Sequence, residues 1–213
     1  MSQNIKMVFL YNVGWEGTPD YSLSDRDVDV LSVINDEDLT VFTFDGLKRR
    51  LGLHPETLSR ILARLELEGL VRKEPDGYKV TPKITQLKHH EPRNDENNVP
   101  LLQTYLPSNM QIQNLIANLK GKWFGLLRWF GLSENNRGVT MKWITEDGGI
   151  QINANIEGST LTIEAKFICQ NNLNLALNAS YQLMSHIGKL CSTSRLATHV
   201  GYFGDGNTFL MPA

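Results

Sequence analysis

Two cysteines in 213 residues, Cys169 and Cys191, are too few and too far apart for a disulfide framework or a zinc cluster. Each reads as a small buried apolar side chain. Long hydrophobic runs are missing as well. No stretch of about eighteen apolar residues is present to span a bilayer, and the opening MSQNIKMVFLYNVGWEG lacks the apolar core and small-residue cleavage site of a signal peptide. A cytoplasmic location without membrane contact is the expectation. Catalytic signatures are absent too: there is no phosphate-binding glycine loop with its lysine, no nucleophile elbow and no HExxH pair, and Gly201, Gly204 and Gly206 follow no strand-to-helix pattern. The adjacent His89 and His90 sit in a polar segment without cysteines or a second histidine pair and read as solvated, while His186 reads as a structural residue among apolar neighbours. No enzyme, cofactor or metal is expected.

What is present is a pattern from Thr43 to Thr81, TFDGLKRRLGLHPETLSRILARLELEGLVRKEPDGYKVT. Thr43 is a good N-cap, Leu47 and Leu51 share one helical face, and Gly52 supplies a stop, so a short helix spans about Phe44 to Leu51. Leu53 is an apolar plug. His54 and Pro55 open a second helix, since proline is tolerated at the first helical position. There Leu58, Ile61, Leu62 and Leu65 form an inward stripe, leaving Glu56, Arg60 and Ala63 outward with Ser59 and Arg64 beside them. Gly69 ends the helix. Leu70 and Val71 enter a strand, Glu74-Pro75-Asp76-Gly77 has turn chemistry, and Tyr78 to Val80 return. Upstream, Ser24 caps a helix from Asp25 to Ile34, and Thr40 to Phe42 is long enough for a short strand. The order helix, strand, helix, helix, hairpin is that of a winged helix-turn-helix.

The segment Asp25 to Thr81 resembles the winged-helix domain of MarR-like and ArsR-like transcriptional regulators, over roughly a quarter of the chain. The matching residues are Leu47, Leu51-Gly52, Thr57-Leu58-Ser59-Arg60, Leu62 to Glu66, Gly69-Leu70-Val71 and Gly77-Tyr78. The resemblance implies that residues at the start of the second helix read bases in a major groove while basic residues of the wing touch phosphate. Carried over, the DNA-binding positions are Thr43, His54, Glu56, Thr57, Ser59, Arg60, Arg64, Arg72, Lys73 and Lys79. The wing departs from the family by being short and by holding Glu74 and Asp76 in its turn, which argues against deep minor-groove insertion.

Charge is distributed unevenly about a net of −2. Residues 1–39 carry Lys6 and Arg26 against eight acids, a balance of −6, whereas residues 40–83 carry nine bases against six acids, a balance of +3. Affinity for a duplex comes largely from counterion release where bases meet phosphates, so the local balance matters more than the total. A face of +3 is modest. A lone protomer would bind weakly, and two half-sites would be needed.

Pro82 to Pro100 is too hydrophilic for a core and reads as a linker. Beyond it, Leu101 to Leu106 suits a strand, Ser108 to Leu119 a helix, and Gly121 to Gly131 a buried helical continuation carrying Trp123, Phe124, Trp129 and Phe130. Val139 to Ile144, Ile150 to Ile156 and Leu161 to Ile168 alternate apolar and polar residues between turn signals, as an antiparallel meander does. Asn171 or Asn172 caps a helix to about Leu190, and the tail from Thr198 has no evident role.

The expected architecture is α+β: an N-terminal winged helix-turn-helix domain with an acidic extension over 1–83, a linker over 84–100, and over 101–213 an α+β domain whose antiparallel β-meander is covered by helices. The expected function is a DNA-binding transcriptional regulator, a homodimer reading a two-fold site in double-stranded DNA, with dimerisation or sensing in the second half. Trp123, Phe124, Trp129 and Phe130 are the candidates for a pocket holding a small apolar effector, for a dimer seam, or for plain core. The alternative is an interaction module that uses the winged helix to dock protein, for which an outward Leu67 is the sequence argument.

Overall fold

The computed structural model of the protein describes residues 23–82, 98–169 and 171–200, with side chains given up to Ser192. Residues 1–22 with Glu16 and Asp20, the stretch 83–97 with Lys83, His89 and His90, and the tail after Val200 lie outside the described residues.

Helix α1 (Asp25–Asp36) is closed by a capping box in which Ser24 and Asp27 satisfy each other's backbone N–H groups. Strand β1 (Val41–Phe42) follows, then α2 (Phe44–Leu51), whose cap Thr43 accepts from the Gly46 N–H and whose end is turned by Gly52 in the left-handed conformation. Helix α3 (Pro55–Leu67) starts on Pro55, and β2 (Val71–Glu74) and β3 (Gly77–Val80) make the hairpin. Leu58, Ile61, Leu62 and Leu65 are buried with Val30, Ile34, Phe42 and Leu47, so the helical stripe packs as the spacing requires. The second half supplies β4 (Asn98–Tyr105), α4 (Ile112–Leu119), β5 (Leu127–Glu134), β6 (Val139–Thr145), β7 (Ile150–Glu157), β8 (Thr160–Phe167) and the long α5 (Leu173–Val200).

The strands form one antiparallel sheet in the order β2-β3-β1-β5-β6-β7-β8-β4. Strand β1 joins the two halves. Val41 pairs with Lys79 on one side and Leu132 on the other, and Phe42 with Tyr78 and Gly131. A chain boundary near residue 84–100 is therefore not a boundary in the sheet. Alternation of side chains gives each face its own core: Leu127, Trp129, Met141, Trp143, Ile152 and Ile163 pack under α4 and α5, while Phe130 and Ile144 point the other way into the winged-helix core.

Glu37, which caps the end of α1, fastens α1 and, through Arg50, α2 to the sheet. It accepts from Lys166 Nζ (2.7 Å), Gln151 Nε2 (2.8 Å), Lys142 Nζ (3.3 Å) and Arg50 Nη2 (3.3 Å), and its backbone carbonyl accepts from Ser133 Oγ (2.8 Å). Burial by itself would raise its pKa. The charges of Lys142 and Lys166 and the hydrogen bonds from Gln151 and Lys166 outweigh that and hold it at about 2.

Several expectations need correction. Gly121 to Gly131 is not helical: Gly121 and Gly125 adopt positive φ, Phe124 bridges to Leu127, and β5 begins there. Its residues are apolar all round because a strand buried on both faces has that pattern too. The meander is extended by β4, which returns to pair with β8 at the far edge, where Pro100 is tolerated beside a register shift. Helix α5 continues to Val200, past the expected end at Leu190, and α4 starts at Ile112 rather than Ser108. Cys169 is exposed and Cys191 half-buried, so the reading of both as buried fails.

Candidate nucleic-acid interface

The inner face of α3 is held by the core, and its outer face is not covered by the other described residues. Glu56, Ser59, Arg60, Ala63 and Arg64 are exposed, and Thr57 is half-buried. His54 is exposed at the helix start, where its Nδ1 accepts from the Glu56 N–H at 3.4 Å. The C-terminal half meets α2, which packs on β5 and β6 with Gly46 against Phe130, and the start of α3 at His54 and Pro55 shares a groove with Glu146 and Asp147.

The cations of this surface are largely paired. Arg60 binds Glu56 one turn earlier, both exposed. Arg72 binds Glu74 (2.7 Å), whose carboxyl is held below its usual range by that hydrogen bond. Arg64 is joined side-on to Asp27, Nη2 to Oδ1 at 2.6 Å and Nε to Oδ2 at 3.2 Å. Asp27 is fully buried although Arg64 is not, and Ser24 donates to Asp27 Oδ2 through both its N–H (2.8 Å) and its hydroxyl (2.7 Å). Burial would raise the Asp27 pKa, but the bonds from Arg64 and Ser24 bring it below the ordinary value. In the wing, Lys73 and Lys79 are exposed, and the Lys73 N–H donates to Glu66.

Thr43 does not belong with these residues. Its hydroxyl donates to the carbonyls of Trp129 and Phe130 and accepts from Gly46, so it serves as helix cap and as a tie to β5. Nor do the four aromatic residues form one apolar pocket. Phe124 and Trp129 are buried edge-on to Trp143, and Phe130 is buried on the opposite face of the sheet. Trp123 is 64% exposed, with the Arg128 guanidinium 4.7 Å from its ring centroid. Trp123 and Trp129 border a groove with Thr43, Asp45, Arg49 and Lys120, a lining of mixed sign.

Sequence reasoning passed over Arg49 and Asp27. Arg49 stands where that groove meets a second one running past His54 and Pro55 toward Glu146 and Asp147 of the β6–β7 turn. The Lys48-Arg49-Arg50 run gave a sign of it. Asp27 was visible as the partner of the Ser24 cap, but its bond to Arg64 spans 37 residues.

Helix order, three-stranded pairing and the exposed outer face of α3 define a winged-helix N-terminal domain. Residues 18–77 match the DprA winged helix domain. The match covers less than a third of the chain and supports the winged helix, without extending to the MarR-like or ArsR-like regulators. No curated protein and no solved structure matches the chain. Among the described residues no helix is long and apolar enough to cross a membrane.

Proposed function

We propose that the protein binds duplex DNA through the outer face of α3, as a non-enzymatic transcriptional regulator acting on a two-fold site as a homodimer. The observation that carries the reading is the exposure of Glu56, Ser59 and Arg60 on a helix whose opposite side is anchored in the core. A major groove admits one such helix, with its N-terminal residues at the base edges. The winged-helix match adds to this, because that fold is widely used to hold DNA. Dimerisation enters through electrostatics. With Arg60, Arg64 and Arg72 already paired, the charge that the described α3 face of one protomer offers phosphate is modest, and a second copy about 34 Å away would double the phosphate contacts.

A second reading, docking of a protein on the winged helix, is favoured by one feature: Leu67, on the last turn of α3, is 85% exposed. Anisotropy titration of mixed genomic duplex at two salt concentrations separates the two. DNA binding predicts affinity that falls steeply with salt, two protomers per bound site, and weakening by Arg60→Ala. Salt-independent or absent binding would leave the docking reading.

A further inference from the structure

We infer that Asp27 is a positioning residue that holds the Arg64 guanidinium so that its outer edge grips a backbone phosphate of the duplex entered by α3. The inference rests on the DNA-binding reading above and adds to it a role for a buried residue that contacts no DNA. The side-on pairing uses Nε and one hydrogen of Nη2, so Nη1 and the second Nη2 hydrogen remain for another acceptor. Arg64 is 45% exposed while Asp27 is fully buried, so the pair is anchored at one end and open at the other. Asp27 is itself immobilised by the Ser24 N–H and hydroxyl within the capping box of α1. A planar guanidinium with one edge fixed is suited to a phosphate, which it meets with two parallel N–H bonds.

Position along the helix favours phosphate over base. Arg64 lies about 13 Å along the axis from Pro55 at the usual helical rise. The major groove is only about 8.5 Å deep, so when α3 enters by its N-terminus Arg64 is carried to the rim, where the backbone runs. Arg60, one turn earlier on the same side, stands closer to the floor. A clamp that merely joined α1 to α3 would need only the buried end of this pair.

The test is titration of a mixed-sequence duplex with the full chain over a series of KCl concentrations. Asp27→Asn keeps the size of the side chain and removes the negative charge beside Arg64, which on charge alone would tighten binding. Loss of the fixed orientation is instead expected to weaken it on the order of tenfold at low salt, and tighter binding by a folded variant would overturn the inference. Asp27→Asn should also lower the log–log salt slope by about 0.9, as Arg64→Gln does, since one phosphate contact is lost. Combining the two should add little to either alone. Arg64→Lys retains the charge without the fork and should bind like Arg64→Gln. Because Arg64 is partly exposed, this variant discriminates even if Asp27→Asn does not fold. Wild-type slope and affinity in a folded Asp27→Asn, or in Arg64→Lys, would overturn the inference alone. A wild-type chain that binds no duplex would overturn the DNA-binding reading and this inference with it.

Discussion

A carboxylate with 2% exposure stays ionised only when cations reach it, and Glu37 has Lys142, Lys166 and Arg50 within ion-pair distance. Its pKa of about 2 lies below the ordinary 4.5, so the folded state holds this group's charge more tightly than the unfolded chain does. The stabilisation is fully present above about pH 4.5 and is lost as the pH falls toward 2; it is on the order of 3 kcal/mol. Glu37→Gln should flatten that part of the stability–pH profile. It should also destabilise the chain at neutral pH by roughly 3 kcal/mol, because it removes the common partner of the buried Lys142 and the partly buried Lys166 and Arg50. Urea unfolding of both proteins between pH 3 and pH 7 reads both effects, and parallel profiles would refute the account. Nothing in the sequence near Glu37 announces this role. Its partners Lys142, Gln151 and Lys166 lie 105, 114 and 129 residues away, and only folding brings them to one point. The caps Thr43, Gly52 and Pro55 were readable because their chemistry is completed within a few residues.

At the scale of elements the same distinction holds. Helices α2 and α3 and the hairpin are legible because caps, stripes and turns are local signals, and β6, β7 and β8 because alternation is. Strand β5 was misread because Leu127, Trp129, Phe130 and Leu132 are buried on both faces, which erases the period that separates strand from helix. The docking of α2 on β5 is also invisible in sequence, although it depends on a single position. A Cβ at Gly46 would lie 2.6 Å from the Phe130 Cα, and backbone cannot move aside as a flexible side chain does. Gly46→Ala should therefore push α2 from the sheet. The expected cost is about 1–3 kcal/mol despite the better helix propensity of alanine, seen as a lower denaturation midpoint with unchanged m-value. A midpoint equal to or above wild type would mean that the contact yields.

Across the whole molecule, the two-residue strand β1 decides how the halves behave. It is paired on both edges, and Phe42 beneath it is fully buried against a core that includes Phe130 and Ile144 from the second half. The sequence suggested separate units because the polar stretch after Pro82 has linker composition, and composition does not report where a short strand finds its second neighbour. With one sheet and the Glu37 cluster spanning the junction, unfolding either half removes partners from the other. Denaturant unfolding of the full chain should thus be a single transition, with near-ultraviolet signals from the buried Trp129 and Trp143 and far-ultraviolet helix signal changing together. Residues 1–83 expressed alone would expose the β1 edge that pairs with Gly131 and Leu132 and would lose the side chains that close their core. That fragment should be poorly dispersed by NMR and prone to association. A well-dispersed fragment with the full chain's helical content, or two separated transitions in the full chain, would show instead that the winged helix folds independently and that the β1–β5 pairing is a contact it can release.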